Sequence, residues 1–262
     1  MALDIDGTIC VEGVDPLFAH ATISPQVRTA VAAVVRSGAH VVLSTGRPVL
    51  SVLPFVSELD LSTGVSICSN GATRIDNATN GILDRIVFDP AEPVAVLRRL
   101  LPGAEFTVEE AGIGDRTTRR SDTRPEISGK IRTVDFPELV ATPTTRLAVH
   151  WPGRTSPELA AALSHSPMPW IQSWISPDEP WLIVTAAGVT KASALERLRV
   201  ELGVAQSETL AVGDGINDLE MLTWAAHGVA MGQAPEVVRA AANEVCPPVT
   251  EDGLATLLAR WF

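Results

Sequence analysis

The sequence predicts an α/β protein: a parallel-sheet core joined by helical crossovers, with a second, smaller α/β unit inserted into it. Three observations predict this. Short apolar runs alternate with helix-period patterns at both ends of the chain, the order that gives a parallel sheet. Two of those runs, near Leu3 and near Val212, stop abruptly at carboxylates and glycines, Asp4-Ile5-Asp6-Gly7 and Gly213-Asp214-Gly215. Between about residues 82 and 181 strand-like and helical pieces still alternate, but no strand there ends in acids. The division is residues 1–81 and 182–262 for the core and 82–181 for the insertion.

The chain opens directly on a short apolar strand that ends in Asp4 and Asp6. Successive strand residues point to opposite faces, and Gly7 lets the backbone turn so that the second carboxylate comes back near the first. After an irregular stretch to about Thr22, Ser24-Pro25 is an N-cap with proline at the first helical position, and the helix runs to about Ser37 before Gly38. His40–Ser44 is the second strand, closing in Thr45-Gly46-Arg47-Pro48, and a helix follows to about Glu58. Val65–Ser69 is a third strand, ending at Asn70-Gly71. The insertion holds strand-like pieces at Ile82–Phe88, Glu105–Val108, Lys130–Val134 and Arg146–His150, helices at Pro90–Leu101 and Ser156–Ser164, and polar loops around residues 112–124. The core resumes with Trp181–Thr185 as a strand, a helix capped by Thr190 and stopped by Gly203, and the strand Thr209–Val212. Leu219–Ala225, Pro235–Ala242 and Gly253–Trp261 are helices, and Gly228–Met231 is a strand.

Composition narrows the function. A chain of 262 residues with 46% hydrophobic content fills a sizeable core. No run approaches the ~18 apolar residues of a membrane span, and no leader pattern is present, so a cytoplasmic protein is expected. A formal charge of −11 argues against nucleic acid or an anionic membrane as partner. Cys10, Cys68 and Cys246 are scattered, which fits buried small hydrophobes in a reducing compartment, and the five histidines show no ligand spacing, so zinc is not indicated. Nothing in the sequence sets the oligomeric state.

Asp4 and Asp6 can be read as turn residues leaving a strand, and Asn217 or Asp218 as a helix cap. Two acid clusters at two strand ends favour a site, because open α/β sheets bind ligands at the carboxyl ends of their strands. Asp4, Asp6, Asp214 and Asp218 would repel one another unless a cation joined them, and an oxygen-only donor set points to Mg²⁺. Only Lys130 and Lys191 are lysine among 20 basic residues. Lys191 follows the N-cap Thr190, where it opposes the helix dipole, so a functional role for it is expected. Thr45 and Gly46 offer a hydroxyl and backbone N–H groups for a phosphate oxygen.

Asp4–Thr8 (D-x-D-G-T), Thr45–Arg47 (T-G-R), Lys191 and Gly213–Asp218 (G-D-G-x-N-D) occur in the order seen in haloacid dehalogenase-like hydrolases, which the whole core resembles. Ser69–Ala72, Gly228–Gly232 and Glu251–Gly253 resemble the Cof-type branch, and the insertion matches that branch's cap in place and size. The resemblance implies a Rossmann-like core with an inserted, mobile α/β cap of type IIB. It implies a Mg²⁺-dependent phosphatase acting on a small phosphorylated metabolite, with a phosphomutase or a catalytically idle binding protein as alternatives. Asp4 would be the nucleophile and Asp6 the general acid and base. Asp4, the backbone carbonyl of Asp6, Asp214 and Asp218 would hold the metal. Thr45, Lys191 and Asn217 would bind the phosphoryl group, and Arg47 and Asn70 face the site, Arg47 being equally open to a structural ion pair. Asp6 separates this chain from the dehalogenases, which lack an acid there. Cap specificity is expected from Arg116, Arg119, Arg120 or the tryptophans. Family members usually carry several residues before this first strand, so either the strand is short or the true start lies upstream.

Overall fold

The computed structural model describes residues 1–11, 22–118, 129–164, 168–169, 171–176 and 179–262. Its central sheet is parallel, in the order β14 (Glu244–Val245), β13 (His227–Ala230), β12 (Leu210–Gly213), β1 (Ala2–Leu3), β2 (Val42–Leu43). A parallel bridge from Ser44 to Ile67 continues it into β3 (Val65–Cys68). There β4 (Thr73–Asp76) and β5 (Ile82–Arg85) add an antiparallel edge.

Alternation within the strands gives the sheet two apolar faces. Leu3, Leu43, Val212 and Val229 face α1 (Pro25–Arg36), α2 (Val49–Glu58) and α9 (Gly253–Leu258). Ala2, Val42, Ala211 and Ala230 face α6 (Lys191–Leu202), α7 (Leu219–Trp224) and α8 (Glu236–Ala241). The helices form where the sequence places their signals. Ser24 Oγ accepts from the Val27 N–H at the start of α1, and Thr190 Oγ1 and Ser193 cap α6 reciprocally before Gly203 ends it in the left-handed region.

A second sheet of six strands runs β10 (Ile171–Ile175), β11 (Trp181–Ala186), β9 (Leu147–His150), β6 (Glu105–Glu110), β7 (Gly114–Thr117), β8 (Lys130–Thr133). One face packs under α3 (Ala91–Leu100) and α5 (Ser156–Leu163) around Leu97, Phe106, Val149, Leu159 and Val184; α4 (Phe136–Leu139) adds Leu139 to the same cluster. Two strands sit differently from the sequence reading. Trp181–Ala186, expected in the core, pairs antiparallel with β9 and β10. Ile82–Arg85, expected in the insertion, pairs with β4 of the core edge. An apolar run specifies a strand but not its neighbour, so the crossing points of the chain lie a few residues later than the composition suggests. The strand β7 falls where a polar loop is expected. Arg119 and Arg120 lie outside the described residues. Among the described residues no helix is long and apolar enough to cross a membrane.

Candidate active site

Strands β1 and β12 are neighbours with Leu3 opposite Val212, and the Asp4 N–H donates to the Val212 carbonyl at 3.0 Å. The register brings two strand ends separated by about 210 residues of sequence to one place. One carboxylate oxygen each from Asp4, Asp214 and Asp218 then lie within 4.8 Å of one another. Glycine is required on both turns. A Cβ at Gly7, which has φ +71°, would stand 1.9 Å from Asp214 Oδ2, and one at Gly213 would stand 2.5 Å from the Asp218 carboxyl carbon.

Lys191 sits at the first turn of α6 with no solvent exposure. Its Nζ donates to Asp4 Oδ1 at 2.7 Å and to Asp218 Oδ1 at 2.5 Å. The other oxygen of Asp218 accepts from the Asp214 and Gly215 N–H groups at 3.0 and 2.9 Å. Asp218 is therefore both a turn-capping residue and a member of the cluster. Burial pushes the Asp4 carboxyl well above the usual carboxylate range, helped by Asp218, Asp214 and Asp6 and opposed by Lys191. Burial works against the Lys191 ammonium, but Asp218 and Asp4 outweigh it and hold its pKa above the ordinary lysine value. One lysine against three carboxylates leaves the crevice short of positive charge. All-oxygen donors with an excess of negative charge fit a hard divalent cation such as Mg²⁺.

Asp6 does not join this cluster through its side chain. Arg47 grips it with two hydrogen bonds, Nε to Oδ2 at 2.8 Å and Nη2 to Oδ1 at 2.5 Å. Of the two roles open to Arg47 in the sequence, the structure shows the ion pair, and the Arg47 guanidinium also lies over the Phe55 ring. Four converging carboxylates are thus corrected to three, with Asp6 beside them. Thr45 is fully buried, its Oγ1 accepting from the Arg47 N–H. Gly46 lies against the side chains of Asn70 and Asn217, and Asn217 Nδ2 donates to Asn70 Oδ1 at 2.9 Å. Ser69 and Asn70 both have left-handed backbones, at φ +51° and +53°. Consecutive non-glycine residues there store strain that the surroundings must hold.

What holds it is Glu109, a residue the sequence reading passed over. It is 4% exposed, on β6, and crosses from the second sheet into the core. Its Oε2 accepts from Ser69 Oγ at 2.5 Å and Thr145 Oγ1 at 3.0 Å, and its Oε1 from the Val49 N–H at 3.2 Å, the first helical residue of α2. A carboxylate at a helix N-terminus is favourably placed. Gln233 was also passed over, although it directly follows the Gly228–Gly232 strand end. Its Nε2 donates to the Gly7 carbonyl and to Asp214 Oδ2, and its Oε1 accepts from the Val249 N–H. Arg116 takes a different place from the one expected. Its guanidinium donates to the Glu138 carbonyl and Thr142 Oγ1 and pairs with Glu110, all inside the second unit. Trp151 and Trp181 likewise pack locally, Trp151 Nε1 donating to the Pro102 carbonyl and Trp181 stacking on His150.

This geometry has relatives. The chain is 25% identical to 5-amino-6-(5-phospho-D-ribitylamino)uracil phosphatase YitU of Bacillus subtilis (strain 168), over 100% of this chain and 97% of that one. It is 26% identical to pyridoxal phosphate phosphatase YbhA of Escherichia coli (strain K12), covering 98% and 96% of the two. The solved structure of the HAD subclass IIB sugar phosphatase BT4131 superimposes with a TM-score of 0.79 at 26% identity, over 99% of this chain and 97% of that one. The family model of the haloacid dehalogenase-like hydrolases matches residues 1–100 and 142–258, which contain every carboxylate of the cluster, Thr45 and Lys191. With the motif order, the fold and the site in agreement, the chain belongs to the haloacid dehalogenase-like hydrolases.

Proposed function

We propose that this phosphatase hydrolyses a small phosphate monoester, a sugar phosphate or a compound of similar size, through a phosphorylated Asp4. The observation that carries the reading is the buried Lys191 ammonium, shared between Asp4 and Asp218 at the edge of a three-carboxylate crevice. A lysine buried there neutralises part of the nucleophile's charge and leaves its second oxygen to react.

Asp4 attacks phosphorus, forming an acyl phosphate as the bond to the leaving oxygen breaks. Lys191, Thr45 Oγ1 and the Gly46 N–H face charge that grows on the phosphoryl oxygens, where most of the stabilisation in such transfers arises. Asp6 gives a proton to the leaving oxygen and then takes one from the water that hydrolyses the acyl phosphate, regenerating the Asp4 carboxylate and releasing phosphate. The bidentate grip of Arg47 fixes the direction in which Asp6 presents that proton. Asp4, Asp214, Asp218 and the Asp6 backbone carbonyl would hold Mg²⁺, with Asn217 beside them. The bound ion would neutralise the carboxylates and the substrate phosphate. The second unit acts as a cap that excludes water and selects the leaving group.

The related proteins support the substrate class. YitU and YbhA are named for phosphate monoesters of small skeletons, and BT4131 is described as a sugar phosphatase. The test is phosphate release from a panel of sugar phosphates, nucleotides and cofactor phosphates, with Mg²⁺, with chelator, and with Asp4→Asn. Turnover that requires Mg²⁺ and is lost in Asp4→Asn is expected. Turnover that survives Asp4→Asn would overturn the reading.

A further inference from the structure

The six-stranded sheet has one face covered by α3 and α5 and one face turned the other way. Phe106, Val108, Leu147, Val149, Leu182 and Val184 belong to the covered face. Strand alternation puts Glu109, Ala148 and Thr185 on the other. Among the described residues, polar side chains of that face reach the core at two places. Glu109 binds the start of α2 and Ser69, and Gln172 Nε2 donates to Glu220 Oε1 of α7 at 3.3 Å. Helix α2 follows the Thr45–Arg47 turn and α7 follows Asp218, so these two contacts bracket the carboxylate crevice.

Arg146 lies between them. The Glu109 N–H donates to the Arg146 carbonyl at 3.0 Å, which sets Arg146 beside Glu109. On its other side Leu147 pairs with Val184 and Thr185 pairs with Gln172, so the row across the sheet reads Gln172, Thr185, Arg146, Glu109. Leu147 points into the second core, and its predecessor Arg146 therefore points to the face that spans the crevice. Arg146 is partly buried, and its Nε is sealed from solvent with no hydrogen-bond partner. Among the described residues no carboxylate pairs with its guanidinium. A buried Nε with no acceptor is costly to keep. Arg116 on the same unit also has a buried Nε without a hydrogen bond, but that nitrogen stands 3.3 Å from a Glu110 carboxylate oxygen and its other two nitrogens donate to the Glu138 carbonyl and Thr142 Oγ1.

We propose that Arg146 binds the leaving-group end of the substrate and selects phosphate monoesters whose leaving group carries an oxyanion, a carboxylate or a second phosphate. The inference rests on the phosphatase reading for the scissile phosphate. Planar donors in a fixed fork match an oxyanion bidentately, and a site half enclosed by the cap strengthens that pairing. Arg146 is a specificity-determining residue in this scheme and takes no part in the bond changes at phosphorus.

The test compares kcat/KM for two matched pairs: 6-phosphogluconate against glucose 6-phosphate, and 3-phosphoglycerate against glycerol 3-phosphate. The wild-type protein is expected to favour the anionic member of each pair. In Arg146→Ala that ratio is expected to fall about ten- to a hundredfold, with Arg146→Lys keeping part of it. A purely structural arginine would lower both members together and leave the ratio in place, and that result, or a wild-type preference for the neutral members, overturns the proposal. Calorimetry with 6-phosphogluconate in an Asp4→Asn background reads the same contact without turnover. There Arg146→Ala is expected to weaken binding by a similar factor, and unchanged binding overturns the proposal. Wild-type protein inert toward every monoester would count against the phosphatase reading and leave the calorimetry to decide the role of Arg146.

Discussion

At the scale of single residues the site is a balance of charge. Three carboxylates share one crevice with the buried Lys191 ammonium, whose two ion pairs have almost no solvent exposure. Removing one partner of a buried pair leaves the other uncompensated, which typically costs ~3–5 kcal/mol. Lys191→Met is therefore expected to lower stability by about that amount in chelator, measured by urea unfolding. Mg²⁺ should return part of the loss, because a cation relieves the same repulsion, while activity stays absent. Lys191→Arg should not restore activity, since a planar fork cannot place one compact charge between Asp4 and Asp218. An equal loss with and without Mg²⁺ would show that the three carboxylates do not share a cation. These residues are legible in the sequence because Lys191 is one of only two lysines and the carboxylates stand beside glycines at two strand ends. Glu109 and Arg146 are not. Their significance depends on which face of which strand meets the core, and that is decided by pairing between segments far apart in the chain.

At the scale of elements, helix ends are specified by local chemistry and strand pairings are not. Ser24, Thr190 and Gly203 mark helix ends by chemistry confined to a few neighbouring residues, and the structure places the ends there. The polar residues Asp115, Arg116 and Thr117 of β7 suggest a loop, yet all three are buried, Thr117 against Thr107 and Arg116 donating to the Glu138 carbonyl and Thr142 Oγ1. One inter-element contact has a pH signature. Glu196 of α6 accepts from Arg199 on its own helix and from Trp224 Nε1 at the end of α7, at 2.8 and 2.9 Å for its Oε2. These bonds hold the Glu196 carboxyl down at about 2, against an ordinary 4.5. In that window the unfolded chain binds the extra proton, so stability from this group is present above about 4.5 and is lost as pH falls toward 2. The Tm difference between the wild type and Glu196→Gln should be constant above about pH 5 and shrink below it. The effect will be small because the carboxyl is solvent-exposed and screened. A difference that grows on acidification would contradict the assignment.

At the scale of the molecule the question is how a cap built from one sheet reports to a site built on another. Among the described residues the two sheets meet through few polar contacts, and Glu109 reaches the loops that carry Val49 and Ser69. Backbone bonds already knit those loops together, the Ser69 N–H donating to the Arg47 carbonyl and the Asn70 N–H to the Thr45 carbonyl. Glu109 adds a carboxylate from the other unit that grips both, at Val49 and at Ser69. A cap that swings as a rigid body must pivot at this point or break it. Glu109→Ala would leave the Val49 N–H and the Ser69 hydroxyl without their acceptor, and a charge-assisted contact of this kind is worth roughly 1.5–3 kcal/mol. Stability should fall by that order. Amide exchange at Val49 and Asn70 should accelerate, and kcat should drop more than KM rises, because the loop carrying Asn70 loses what holds its left-handed backbone. Glu109→Gln keeps an acceptor for Val49 and can reverse the sense of the bond to Ser69, so it should retain most of the protection. Exchange that rises across the cap while Val49 stays protected would instead make Glu109 a strut of the cap alone. The coupling of cap to site would then have to run through Gln172 and Glu220 on the opposite side of the crevice.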